Sequence, residues 1–275
     1  MKQRVLFKLI LTLGALLALL VAYAGPQRAS AQEGSPYLVA YWPFDEISGG
    51  TAHDSIGAND AALFGPGWAE GRLDGGLHFD GVEDYALVPD APELDPANIT
   101  IEAWIKLEAP AESGGVAIVE KGGWNGGQTG YAFLVGNWGV PNSLRFEVYP
   151  SWRSVTSLTG LSLGQWYHVA ASFDGIDLKV FINGELDNSL SAPGPINVGN
   201  NAVLGIGARF EQNDINWAEI SQDLNGSLDA LAIYNQALSE EDIRQDYQSA
   251  FGASLAASTT AADIYPLPDR CVQGR

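Results

Sequence analysis

The sequence predicts an all-β fold of two packed antiparallel sheets with one short C-terminal helix. Three observations predict it. Short apolar or alternating runs recur along the chain, punctuated by Gly, Pro, Asn and Asp, among 32 glycines and 14 prolines in 275 residues. Two of these runs, Trp166 to Phe173 and Leu178 to Asn183, end in Asp174-Gly175 and Asn183-Gly184. Those dipeptides tolerate the positive φ of tight hairpin turns, so the segment reads as a three-strand meander. One helical signal stands out, near the end of the chain.

Taken in order, Met1-Lys2-Gln3-Arg4 with Lys8 gives a basic start, and Leu9 to Ala24 is an apolar run short for a membrane span. Ala29-Ser30-Ala31 then supplies small residues for signal peptidase, so residues 1–31 read as a cleaved secretory signal. No stable membrane span is expected after cleavage, and the protein is expected to be exported. The strand candidates are Leu38 to Phe44, Leu77 to Asp80, Tyr85 to Val88, Ile99 to Leu107, Val116 to Glu120, Tyr131 to Val135, Leu144 to Tyr149 and Val155 to Leu158. They continue with the two meander runs, Ala202 to Ile206 and Ser227 to Tyr234. So many strands in one domain require two packed sheets. In Ile99 to Leu107 the odd positions are all apolar, which turns Ile99, Ile101, Ala103, Ile105 and Leu107 to the core. Glu102, Trp104 and Lys106 fall on the other face, which is either a solvated convex surface or the floor of a groove. Ser239-Glu240-Glu241-Asp242 opens the helix with an N-cap serine and acids in the first turn. The domain is assigned to residues 32–251, and residues 252–275 read as a weakly ordered tail.

The formal charge of −19 becomes −23 once the signal, with four basic residues and no acids, is removed. Such a surface repels nucleic acid and anionic lipid and attracts cations. Cys271, the single cysteine, excludes an intramolecular disulfide, so the domain depends on its core.

Tyr41-Trp42-Pro43-Phe44-Asp45-Glu46, Gly75 to Gly81, Ile99 to Ile105, the tryptophan-histidine hairpin at Trp166 and the closing block Leu224 to Ser239 together resemble laminin-G-like domains of the concanavalin A-like lectin/glucanase superfamily, relatives of the pentraxins. The resemblance implies a two-sheet antiparallel jelly-roll sandwich. It identifies a scaffold that hosts lectins, adhesion modules and glucanases alike, so function has to be argued from sites. It also implies a structural calcium where the first and last strands meet, with Asp45 and Asp229 as its side-chain ligands.

Glycosidases of related jelly rolls carry paired carboxylates on one strand face, and no strand here shows that spacing. The acids cluster instead at turns, at the helix start and in a polar loop. His168 reads as a packed strand residue, and Gly160-Leu161-Ser162-Leu163-Gly164 lacks the strand-to-helix context of a nucleophile elbow. The chain is therefore expected not to be an enzyme. Carbohydrate binding rests on tryptophans, because sugar C–H faces stack on indole while hydroxyls bond to nearby polar groups. Of eight tryptophans, Trp124, Trp138, Trp152 and Trp217 sit in loops among Gly, Asn, Arg and Ser. With Asn125 and Arg153 they form the expected ligand rim. The reading is a secreted, non-catalytic domain that binds a glycan. The alternatives are an adhesive module that contacts an extracellular protein and, last, a glycoside hydrolase.

Overall fold

The structure is a computed structural model. It describes residues 35–250 apart from 112–113, 124–128, 137–138, 151, 199–200, 211–219 and 222. The signal segment, the tail and the rim residues Trp124, Asn125, Trp138 and Trp217 thus lie outside the described residues. Up to Gln248 the described chain forms one compact unit.

Its strands are β1 (Leu38–Trp42), β2 (Thr51–Ala52), β3 (Ala61–Phe64), β4 (Gly67–Glu70), β5 (Gly75–Asp80), β6 (Tyr85–Val88), β7 (Ile99–Leu107), β8 (Val116–Gly123) and β9 (Thr129–Val135). They continue as β10 (Ser143–Val148), β11 (Arg153–Gly160), β12 (Trp166–Phe173), β13 (Asp177–Ile182), β14 (Glu185–Ser191), β15 (Leu204–Ile206), β16 (Arg209–Phe210), β17 (Ile220–Ser221) and β18 (Asn225–Tyr234). Helix α1 covers residues 240–250. One sheet runs β14-β13-β12-β7-β18-β5-β4, with β1 also paired to β18; the other runs β11-β10-β9-β8-β15-β6-β3-β2. Each pairing within these sheets is antiparallel, and the sandwich predicted from the sequence is what forms. The strands that the residue pattern does not announce are edge or very short ones. β14, for example, reads Glu-Leu-Asp-Asn-Ser-Leu-Ser and is mostly exposed, so it carries no apolar alternation.

The core between the sheets contains Ile99, Ile101, Ala103, Ile105 and Leu107, as the alternation in β7 predicts, packed with Trp42, Phe79, Phe133, Phe146 and Phe173. The opposite face of β7 is covered at Glu102 and Trp104, while Lys106 at its end stays partly exposed. Glu102 and Trp104 are buried there, because α1 brings Tyr247 onto Trp104 and His168 at ring distances of 5.9 Å each. Arg72 lies over the Trp104 ring at 4.9 Å. His168 is packed edge-on against Trp104 at 5.5 Å, and burial lowers its pKa to about 4, so it is a neutral packing residue.

Local chemistry explains the turns. Asn183 and Gly184 both have positive φ (53° and 77°) and separate the paired residues Ile182 and Glu185, the geometry of a type I′ turn. The Asp174-Gly175 turn is longer: Phe173 pairs with Leu178, and Asp174 Oδ1 accepts hydrogen bonds from the N–H groups of Ile176 and Asp177. At α1, Asp242 N–H donates to Ser239 Oγ while Ser239 N–H donates to Asp242 Oδ2, a reciprocal cap.

The sheets meet along one edge without a shared ladder. Asp187 Oδ2 on β14 accepts from the backbone N–H groups of Leu158 and Thr159 on β11, and Asn188 Nδ2 donates to Thr156 O. Side chains of one edge strand thus satisfy the backbone of the other.

Candidate functional site

Strands β8, β9 and β10 alternate in the usual way, so Tyr131, Phe133, Leu144, Phe146 and Val148 enter the core. Their neighbours point to the outer face. There Ala117, Ala132 and Leu134 form a small buried apolar patch. The register Glu120↔Ala132↔Glu147 sets two glutamates on either side of one alanine, on strands that are not neighbours. Both glutamates are buried, and a buried carboxylate needs partners.

Two arginines supply them. Arg209, on β16, pairs with Glu120 at 3.4 Å and lies 4.0 Å from Glu147 Oε2 through the same Nη2. Arg145 Nε is 2.8 Å from Glu147 Oε1. Both guanidinium groups also donate to the Gly114 carbonyl, at 3.1 Å from Arg145 and 3.3 Å from Arg209. Burial alone would lower the Arg209 pKa, but Glu120 and Glu147 outweigh it and raise it. Tyr149 donates its hydroxyl to Glu147 Oε2 at 2.9 Å, and burial followed by Glu147 pushes that phenol far above its ordinary value, so it stays protonated.

Trp152 stands at the margin of this network. It lies in the turn between β10 and β11, is 50% exposed, and has φ of 45°, a left-handed conformation that bulky residues seldom adopt. Its indole N–H donates to Glu147 Oε1 at 2.8 Å. The polar edge of the ring is thereby tied to the protein while half of the residue faces solvent.

Of the rim residues expected from sequence, Trp152 is therefore placed on this face. Arg153 is not turned to it as a ligand donor: its guanidinium donates to the carbonyls of Ala192, Gly194 and Pro195 and lies over the Phe173 ring at 5.1 Å. It ties the loop after β14 to β11, and burial lowers its pKa. Sequence reasoning missed Glu120, Arg145, Glu147, Tyr149 and Arg209. Paired carboxylates were sought along single strands, whereas these come from two strands separated by a third. The signal that could have found them is charge inside strand patterns, in Val119-Glu120-Lys121 and Leu144-Arg145-Phe146-Glu147.

Asp45 and Asp229 do come together. Asp45 Oδ1 accepts from Gly75 N–H at 2.9 Å, and Asp229 Oδ2 accepts from Arg72 N–H and Leu73 N–H at 2.7 and 2.8 Å. Both thus hold the loop that enters β5. Burial, with added repulsion from Asp45 and Asp74, raises the Asp229 pKa to about 7 despite those two N–H groups. Oδ2 of Asp45 and Oδ1 of Asp229 lie outside these contacts. Among the described residues no three His, Cys, Asp or Glu side chains group as metal ligands. An ion here would fit only as one held by two carboxylate oxygens, with backbone carbonyls and water completing its shell.

Residues 80–244 match the family model Laminin_G_3, described as the concanavalin A-like lectin/glucanases superfamily. No curated protein matches the chain. Among solved structures, it is similar to domain 4 of AbnA, a GH43 extracellular arabinanase from Geobacillus stearothermophilus, in complex with arabinotriose. That likeness has 21% identity and a TM-score of 0.61, covering 77% of this chain and 98% of that one. It is also similar to the binding domain of Paraclostridial Mosquitocidal Protein 1, with 15% identity and a TM-score of 0.59 over 78% of this chain and 52% of that one. Trypanosoma rangeli sialidase in complex with sialic acid matches at 16% identity and a TM-score of 0.58, over 80% of this chain and 34% of that one. At these identities the likeness is one of fold. No helix among the described residues is long and apolar enough to cross a membrane.

Proposed function

This chain belongs to the concanavalin A-like lectin/glucanases superfamily, and on that premise we propose that it is an exported, non-catalytic domain that binds glycan on the outer face of β8, β9 and β10. The observation that carries the reading is Trp152, half exposed and anchored through its indole N–H to a buried carboxylate. Indole faces take up the C–H faces of sugars, with hydroxyls left for surrounding polar groups. Arabinotriose on the similar arabinanase domain supports a sugar as ligand.

The state of Glu120 and Glu147 supports binding without chemistry at this face. A glycosidase needs one carboxyl ready to donate a proton and a second ready to attack or to activate water. Glu120 and Glu147 are instead held in ion pairs with Arg145 and Arg209. Trp124, Asn125, Trp138 and Trp217 would extend the rim. Asp45 and Asp229 would hold a calcium ion that braces the loop entering β5.

The test is binding of residues 32–275 to a broad panel of polysaccharides, alongside Trp152→Ala. A specific hit that the variant loses supports the reading. A blank panel on folded protein, or a hit that survives Trp152→Ala unchanged, overturns it.

A further inference from the structure

Trp152 has one polar atom, and it is used inside the protein. The indole N–H donates to Glu147 Oε1, so the ring can offer a ligand only its carbon face and edge. Its backbone, at φ of 45°, is one that a bulky side chain leaves unless surrounding bonds hold it. The bond to Glu147 Oε1 is one that holds it. Glu147 is itself fully buried and is fixed by the Tyr149 hydroxyl at 2.9 Å and by Arg145 at 2.8 Å.

We propose that Glu147 is the positioning residue of the Trp152 platform and that the platform it sets is for neutral, not acidic, sugar chains; the proposal rests on the glycan-binding reading above. The choice of neutral ligands follows from where the cations go. Arg145 and Arg209 are the cationic side chains of this network. Their contacts run to Glu147, Glu120 and the Gly114 carbonyl. A uronate or sialate carboxylate arriving at Trp152 would meet arginines already paired with glutamates, on a protein of formal charge −19. A neutral sugar loses nothing by this, because stacking on the indole face needs no cation.

The experiment has a readout that does not depend on ligand. In ¹⁵N-labelled protein, the Trp152 indole N–H resonance is assigned by its loss in Trp152→Phe. It should lie in the downfield range of an N–H bonded to a carboxylate and move upfield in Glu147→Gln and in Glu147→Ala. An unchanged resonance in both variants overturns the positioning role. Affinity is then measured for soluble arabinan, xyloglucan and polygalacturonate. Loss of a charge-assisted bond is expected to weaken neutral-polymer binding about tenfold in Glu147→Ala, with Glu147→Gln recovering most of it as a neutral acceptor.

If Glu147→Ala does not fold, Glu147→Gln and Tyr149→Phe carry the test. Removing the phenol loosens Glu147 and should weaken binding in the same direction. Wild-type affinity in all folded Glu147 and Tyr149 variants, with Trp152→Ala dead, overturns positioning but leaves the glycan reading standing. Wild-type affinity in Trp152→Ala, or a blank on the broad panel as well as on these three polymers, overturns both. Polygalacturonate bound as tightly as the neutral polymers overturns the ligand class.

Discussion

Glu102 of β7 and Asp246 of α1 are joined by a carboxyl-to-carboxyl hydrogen bond at the buried junction of sheet and helix. Such a bond requires a proton on one partner. Burial first, then the neighbouring acids, raises Glu102 well above its ordinary range, and burial raises Asp246 to about 6. Tyr234 adds a longer contact of 3.5 Å to Asp246 Oδ2.

The sign of the pH effect follows. Acids whose pKa is raised by folding stabilise the fold below their unfolded values and lose that contribution as pH climbs through the folded ones. For Asp246 and Asp229 the loss runs from about pH 4 to about 7, and the raised Glu102 adds to it in the same direction. Glu102→Gln keeps a donor to Asp246 without needing a proton. It should be close to neutral at pH 5 and stabilising at pH 8, where the wild-type pair has to give up a buried proton. Thermal melts of both proteins at the two pH values check this; parallel curves would remove the shared proton from the account.

His168 works in the opposite sense. Its pKa is lowered from 6.5 to about 4 by burial, so the unfolded chain takes up a proton first, and stability falls as pH drops from 6.5 toward 4. His168→Phe, which retains a ring beside Trp104, should flatten that acid limb in denaturant titrations. A limb as steep as that of the wild type would place the proton uptake elsewhere.

Arg153 should matter for stability and not for ligand. Arg153→Leu strips donors from three carbonyls of the 192–195 loop and should cost about 2 to 4 kcal/mol, leaving polysaccharide affinity unchanged. Affinity lost in a variant of wild-type stability would return Arg153 to the ligand rim.

At Trp152 backbone and side chain can be separated. Both Trp152→Ala and Trp152→Gly remove the platform, but glycine adopts a φ of 45° without strain. Trp152→Gly should therefore be the more stable of the two by about 1 kcal/mol, with neither binding glycan. Urea titration decides it, and the reverse order would mean that the backbone opens when the indole is removed.

For the proposed calcium, millimolar ion against chelator at pH 8 should raise the melting temperature, equivalent to about 1 to 3 kcal/mol. The gain should shrink at pH 5, where a proton on Asp229 competes, and vanish in Asp229→Asn. Equal melting temperatures with calcium and chelator at pH 8 would remove the ion from the Asp45 and Asp229 pair.

What was legible in the sequence was whatever repeats with a period or needs a special backbone. The five core residues of β7, the Asn183-Gly184 turn and the reciprocal cap of Ser239 and Asp242 each follow from local chemistry. The network around Glu147 was not legible. Arg145 and Glu147 alternate along one strand, but Glu120 and Arg209 reach them from distant parts of the chain, and a charge in a strand does not announce such a partner. Glu102 was placed on the correct face of β7, but α1 covers that face through contacts between distant parts of the chain. Arg153 looked like a rim residue because it follows an exposed tryptophan, but its partners are carbonyls of the 192–195 loop some forty residues further on, which no local pattern announces.

The contacts from Asp187 and Asn188 on β14 to the backbone of β11 bear on how the protein behaves in company. A free strand edge is a template for the next chain. Here part of the β11 template is already occupied by side chains of the same molecule. Copies at high concentration can then lie side by side with less chance of exchanging strands. Asp187→Ala should be seen first as self-association at high concentration, before any loss of fold.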